Sequence, residues 1–574
     1  MTLLILILFV SVIFWIGEGD FYTKGEPREA SVAVSMLEKD QWILPETYAD
    51  EIAYKPPLTH WLTAVLSLPQ GKVTPFSSRL PSALAFTGLI VFSFIFFGKN
   101  LKFQDAFLAA LILLTSFELH RGAMTARVDM LLTFLIVLAL TRLFRWEERK
   151  QLGGFPFVIS IIMGLAALTK GPVGIVLPLL VFGIYLLLLK YNFWKIAGKL
   201  LLMALLSLIL PFIWYLLAYQ TGGKEFLDIV WAENFGRFLS SDNLNIQYNL
   251  GHEEAWWYNI LTLLGGFMPW TILLFISLFG LRYAIKIPVF KQIRDAFVQQ
   301  EKIKLFSAVA AIVIILFYCI PSGKRSVYLM PAYPFIAVFI AQYVLYLTEY
   351  KVNISRIFSW VIGIIACLTA LIVFCTITTH FIEPVRIARI FVKHQRTLND
   401  IAAAFQATHA PKILYDILLC ILLYAIYILF KYLWKKNNLK TLYATVGLYL
   451  ALLLVLDGIF LPSFKDGVSV KPFAKSLLKN YPIQEDNLYV MNNLLEYSNM
   501  YGLNFYLHNH IQNFEKELPS EGYFLVGESS FTKVLEKYGK DYQFDLLEAY
   551  QNKNRDGERT IQLYFFALKL SQTR

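Results

Sequence analysis

Ionisable residues at the edges of long apolar runs are the part of this sequence able to do chemistry. Glu26 stands in Lys24-Gly25-Glu26-Pro27-Arg28-Glu29, ahead of a helical pattern. A carboxylate there can accept a proton or hold a cation; the plainer reading is an acid favoured by the helix dipole. Lys55 is presented from Tyr54-Lys55-Pro56-Pro57, a turn stiffened by two prolines. It suits a lipid phosphate or simple snorkelling. Arg127 and Asp129 open one apolar run, Lys170 interrupts another, and Lys324 and Arg325 precede Tyr328 at the head of a third. Charges at membrane depth are costly, so each marks a candidate functional residue. Two carboxylates with several cations fit a phosphate-bearing lipid and a group-transfer reaction.

The elements that must position these residues are membrane spans. Of the 574 residues 57% are hydrophobic and 16% charged, against roughly a quarter charged in a soluble chain. Mean hydropathy is +0.54. Thirteen apolar runs read as spans, centred on 2–17, 78–98, 104–119, 128–144, 156–169, 172–190, 198–218, 258–281, 304–320, 326–347, 357–378, 413–431 and 441–461. Basic residues gather in alternate connections, around 99–102, 142–150, 190–199, 282–304, 351–356 and 431–440. That bias sets the N-terminus in the cytoplasm and the C-terminal tail outside. It also explains the net charge of +11 without nucleic acid. The first run has no basic leader or small-residue cleavage site and reads as a retained span. Cys319, Cys367, Cys375 and Cys420 all lie in apolar runs without metal spacing.

All the singled-out charges fall on the outer side by this assignment. In the first outer loop, 18–77, Ala30, Ala33, Met36 and Leu37 recur on one helical face, as in a helix lying on the membrane surface. Trp61, Leu62, Val65 and Leu66 suit a second interfacial helix. The tail alternates strand-like runs, Asn487–Met491, Asn504–Leu507, Gly522–Val526 and Ile561–Leu568, with polar helical ones. It reads as a small α/β domain, a lid or docking module. The division is a membrane domain over 1–465, with outer loops 18–77 and 219–257 forming the site, and an outer domain over 466–574.

Several motifs recur in the order of a known family. They are Glu26-Pro27-Arg28, Lys55-Pro56-Pro57-Leu58 with Trp61, Arg79-Leu80-Pro81, Arg127-Val128-Asp129, Leu168-Thr169-Lys170-Gly171-Pro172, Glu233-Asn234 with Arg237-Phe238, Gly251-His252, Pro269-Trp270, and Gly323-Lys324-Arg325 with Tyr328. Over about residues 1–350 the chain resembles the dolichyl-phosphate-mannose–protein mannosyltransferase family, especially its lipid A aminoarabinose transferase branch. The resemblance implies a GT-C-like, α-helical polytopic fold. It implies an inverting glycosyltransferase in a bacterial inner membrane, taking sugar from a polyprenyl-phosphate donor. The acceptor would be the hydroxyl of a glycolipid such as lipid A, a protein or a polysaccharide. Carried over, Glu26 is the base or orients it, and Asp129 is the second acid. Lys55, Lys324 and Arg325, with Lys170 and Arg237, would hold the donor phosphate. Arg28, Arg127, Glu233, Asn234, His252 and Tyr328 would line the substrate site.

Two departures stand out. The family's first-loop Asp-Glu pair reads Gly25-Glu26 here, so Asp20 or Glu29 is open as a substitute. The acidic residue ahead of the Lys-Pro-Pro turn is Tyr54, which leaves a divalent metal and the donor sugar undecided. A transporter or flippase for a phosphorylated lipid would use the same cations without reaction. The inverted repeats that would mark a transporter are not visible.

Overall fold

The computed structural model describes residues 2–23, 25–47, 51–231, 254–255, 257–280, 302–321, 323–375, 384–393, 397–399, 401–402, 412–484, 486–491, 498–551 and 560–569. Seven described helices are long and apolar enough to cross a membrane, or nine if each of two bent pairs counts as one span. Shorter apolar helices cover Leu4–Ile13, Phe157–Lys170 and Val173–Leu188. The chain is a multi-pass membrane protein, and one large apolar core joins these helices.

Several expected spans take another form. The run at 104–119 breaks at Ser116 into Phe103–Thr115 and Phe117–Ala123, bent by 63°. Ser116 is extended (φ −70°, ψ 124°), which ends the first helix. The run at 258–281 divides into Tyr258–Gly266 and Trp270–Gly280, bent by 104°. Gly266 is required at that bend, because a Cβ there would lie 1.9 Å from the Tyr333 hydroxyl. The run at 326–347 begins as a tight 3₁₀ segment, Ser326–Ala332, before the helix Tyr333–Tyr350. The last span does not stop at 461. It passes through a π-helical turn, Leu456–Phe460, into Leu461–Gly467.

The first loop forms its two helices, Gly25–Glu38 and Leu58–Ser67. The first is more deeply buried than a single apolar face implies. Nine of its residues are buried, on more than one face. It packs against the Leu58–Ser67 helix on one side and the C-terminal helix Ser498–Tyr506 on the other.

The tail folds into a five-stranded sheet, order β2-β1-β3-β5-β4. The strands are β1 Leu488–Val490, β2 Ile511–Asn513, β3 Glu521–Gly527, β4 Tyr542–Gln551 and β5 Thr560–Leu568. β1 runs parallel to β2 and β3, while β5 is antiparallel to β3 and β4. Three of the four strand-like runs match β1, β3 and β5. The fourth, 504–507, belongs instead to the end of the helix Ser498–Tyr506. Its residues Phe505 and Leu507 are buried, and short apolar runs do not by themselves separate helix from strand.

Candidate active site

Two clusters of paired charges form where the first loop meets the ends of the Val128–Lys150 and Phe157–Lys170 helices. In the first, Glu29 joins Lys55 and His60. Its Oε1 accepts from Lys55 Nζ, and its Oε2 pairs with His60 Nε2 at 2.7 Å. His60 is 2% exposed, whereas Lys55 is 31% exposed. Burial alone would raise the Glu29 carboxyl pKa. The Lys55 charge and the His60 hydrogen bond outweigh it and hold Glu29 well below the usual carboxylate range.

In the second cluster, Asp129 sits in the first turn of the Val128–Lys150 helix. Its Oδ1 accepts from Lys170 Nζ, and its Oδ2 from Arg127 Nε at 3.2 Å. Asp129 is buried, while Lys170 and Arg127 are about a quarter exposed. The Lys170 ammonium lies 4.4 Å from the Tyr328 ring centroid. The clusters adjoin electrostatically: the charges of Arg28 and Arg127 act on Lys55, and that of Lys55 acts on Asp129.

Glu26 is placed differently from the expectation. It is 0% exposed and pairs with Arg79, also 0% exposed, at 2.8 Å. The same Oε1 accepts from the Ala126 amide at 3.2 Å. Arg79 also donates to the carbonyls of Ile16, Gly19 and Asp20, at 2.9, 3.0 and 2.9 Å. Burial raises the Glu26 pKa, but the charge of Arg79 and its hydrogen bond more than offset this, and the net shift is downward. Through Oε1 the pair ties the first loop to the Pro75–Gly98 helix, while Oε2 is buried without a hydrogen-bond partner among the described residues. Asp20 is also engaged: its Oδ1 accepts from Lys471 at 2.9 Å.

Other expected cations divide. Lys324 is 5% exposed and donates to the carbonyls of Glu254 and Pro321 at 2.9 and 2.8 Å. It braces the chain and does not point a free ammonium at the cluster. Arg325 is exposed. Arg237, Glu233, Asn234 and His252 lie outside the described residues. Among the described residues no three His, Cys, Asp or Glu side chains converge to hold a metal ion. Glu29 is already engaged by Lys55 and His60.

Sequence reasoning did not find three contributors. His60 follows the Lys-Pro-Pro turn by only three residues, and that spacing was the available signal. Glu118 accepts from Arg121 at 2.6 Å and from Ser326 at 2.8 Å, docking the Lys324–Ser326 segment onto the bent helix Phe117–Ala123. His120 pairs with Asp457 at 2.7 Å, both nearly buried, across 337 residues of sequence.

The model for dolichyl-phosphate-mannose-protein mannosyltransferases matches residues 54–215. An uncharacterized protein of Aquifex aeolicus is 30% identical over 417 residues, covering 70% of this chain and 76% of that one. An undecaprenyl phosphate-alpha-4-amino-4-deoxy-L-arabinose arabinosyl transferase of Shewanella sediminis is 23% identical over 339 residues. That match covers 57% of this chain, and it spans little more than half, 56%, of the Shewanella enzyme. Among solved structures, ArnT from Cupriavidus metallidurans bound to undecaprenyl phosphate superposes with a TM-score of 0.68. The identity is 17%, and the superposition covers 98% of this chain and 96% of that one, a likeness of fold. By its motifs, these relatives and this fold, the chain belongs to the dolichyl-phosphate-mannose–protein mannosyltransferase family.

Proposed function

We propose that this protein is an inverting membrane glycosyltransferase of the inner membrane. It moves a sugar from a polyprenyl-phosphate donor to an acceptor hydroxyl at the outer face. The observation that carries the reading is the pairing of accessible cations with buried carboxylates in one place: Lys55 with Glu29, and Lys170 and Arg127 with Asp129. A donor phosphate is the group that such cations would take. The aminoarabinosyl transferases among the relatives are named for undecaprenyl phosphate, and the ArnT structure binds it.

The arrangement supports the following sequence. The donor phosphate competes with Glu29 for Lys55 and with Asp129 for Lys170 and Arg127. Drawing Lys55 away removes the charge that holds Glu29 acidic, so its pKa rises and it becomes a better base. The acceptor oxygen attacks the anomeric carbon as its proton passes to the carboxylate. The bond from that carbon to the phosphate oxygen breaks, and the cations stabilise the leaving phosphate. Glu29 takes the base role that Glu26, sealed against Arg79, is poorly placed to fill. Gly25 and Glu29 are four residues apart on one helix and share a face. A Cβ at Gly25 would meet nothing within 4 Å, so the space beside Glu29 is open. Asp129 orients Lys170 and Arg127.

The test uses purified protein in lipid nanodiscs with a panel of polyprenyl-phosphate sugars and a crude envelope fraction as acceptor. Mass spectrometry follows released polyprenyl phosphate and the matching mass gain on an acceptor. Release that is lost in Glu29→Gln supports the reading. Binding of the donors without release across the panel would instead favour a transporter or flippase for a phosphorylated lipid.

A further inference from the structure

The C-terminal domain is seated directly on the first loop. Lys471 pairs with Asp20 at 2.9 Å, and Asn504 Nδ2 donates to the Thr47 carbonyl at 2.9 Å. Asn509 Nδ2 donates to the Ser31 carbonyl at 3.3 Å, and Phe505 meets Phe21 edge-on at 4.9 Å. The most consequential contact is at Arg28, on the same helix as Glu29. Its guanidinium carbon lies 5.3 Å from the Tyr54 ring centroid and 5.5 Å from that of Tyr501. Tyr54 belongs to the Lys55 turn, whereas Tyr501 comes from the C-terminal domain. Glu51 completes the clamp. Its Oε1 is 3.6 Å from Arg28, and its Oε2 accepts from the Tyr501 hydroxyl and from Thr47 Oγ1.

Arg28 thus lies against two aromatic rings, while its side chain stays about a quarter exposed. Among the described residues its guanidinium makes no hydrogen bond, and its one ion pair is the long contact to Glu51. A planar five-donor fork without a hydrogen bond among the described residues matches an oxyanion such as a phosphate bidentately. Lys55 lies close enough for its charge to interact with that of Arg28.

We propose that the C-terminal domain completes the donor site, with Tyr501 as a positioning residue. Tyr501 holds the Arg28 fork flat so that Arg28 and Lys55 receive one phosphate, that of the polyprenyl donor. This rests on the donor assignment under Proposed function. The domain is then a wall of the site, and its seating on the first loop governs donor affinity.

The probe is undecaprenyl phosphate, titrated into full-length protein in nanodiscs of phosphatidylcholine alone, so that anionic headgroups are not a second source of the phosphate. Tyr501→Leu keeps a shorter apolar side chain but removes the π face and the hydroxyl. It weakens binding about 5- to 10-fold, as expected for loss of a partly desolvated cation–π contact. Tyr501→Phe keeps the face and stays within about twofold of wild type. In an Arg28→Gln background, Tyr501→Leu has no further effect. Thermal unfolding of each variant confirms that it is folded, and Tyr501→Trp replaces Tyr501→Leu if that variant is not, with near-normal binding expected. Unchanged binding in Tyr501→Leu overturns the proposal. So does an equal loss with and without Arg28, since a merely structural tyrosine would weaken both alike. If wild-type protein fails to bind undecaprenyl phosphate, the donor assignment itself falls.

Discussion

Glu26→Gln separates a structural acid from a catalytic one. In this structure Glu26 neutralises Arg79 in a site where neither side chain has measurable exposure. The amide can still accept from Arg79 and from the Ala126 N–H, so the geometry survives, but the guanidinium loses its counter-charge. Breaking a buried pair by removing one partner costs about 3–5 kcal/mol. Arg79 also keeps three carbonyl acceptors within 3.0 Å, which share its charge, so the lower end, about 3 kcal/mol, is expected. The assay is thermal unfolding in nanodiscs, paired with turnover per folded molecule. The expected outcome is a clear fall in stability with turnover of the folded fraction within about tenfold of wild type. A base removed outright would lower turnover by about 10²–10⁴-fold. A Glu26→Gln protein as stable as wild type but slower by 10²-fold or more would refute this reasoning and return the base role to Glu26.

Three further outcomes are expected. Lys55→Ala removes a phosphate contact, so donor affinity falls about tenfold or more while acceptor affinity changes little; equilibrium binding of donor and acceptor checks it, and unchanged donor affinity would leave Lys55 a snorkelling residue. Gly266→Ala forces a methyl to within 1.9 Å of the Tyr333 hydroxyl and 2.9 Å of Glu118 Cβ, and lowers stability by about 1–3 kcal/mol, read as a lower unfolding temperature. Glu29 has a depressed folded pKa, so the stability it contributes is present above its unfolded value and lost as pH falls through the folded one. Unfolding midpoints should therefore decline below about pH 4.5, and Glu29→Gln should flatten that decline; an identical acid profile in the variant would count against the Lys55–Glu29–His60 cluster.

The arrangement of carboxylates shows what the chain alone revealed. Glu26, Asp129, Lys55 and Lys170 were legible as charges at the margins of apolar runs, because the cost of burying charge near a membrane makes each such residue conspicuous. Their partners were not legible. Arg79 meets Glu26 across 53 residues, Lys170 meets Asp129 across 41, and Tyr501 meets Glu51 across 450. Periodicity reports only which residues share a face of one element, and says nothing of the element it faces. For that reason the sequence favoured Glu26 and left Glu29, three residues on, only as a substitute, whereas the structure seals Glu26 against Arg79 and joins Glu29 to Lys55 and His60.

The sequence by itself determined that this is a multi-pass membrane protein with a first-loop helix pair and a small α/β domain at its C-terminal end. Hydropathy runs, proline turns and strand-like alternation are local signals, and local energetics enforces them. Only the tertiary structure decided that two apolar runs bend sharply, that the Gly25–Glu38 helix is buried between the Leu58–Ser67 helix and the C-terminal domain, and that Tyr501 reaches Arg28. Those outcomes depend on which surfaces fill one another's space. A contact such as Gly266 against Tyr333 exists only once both chain segments have been brought together.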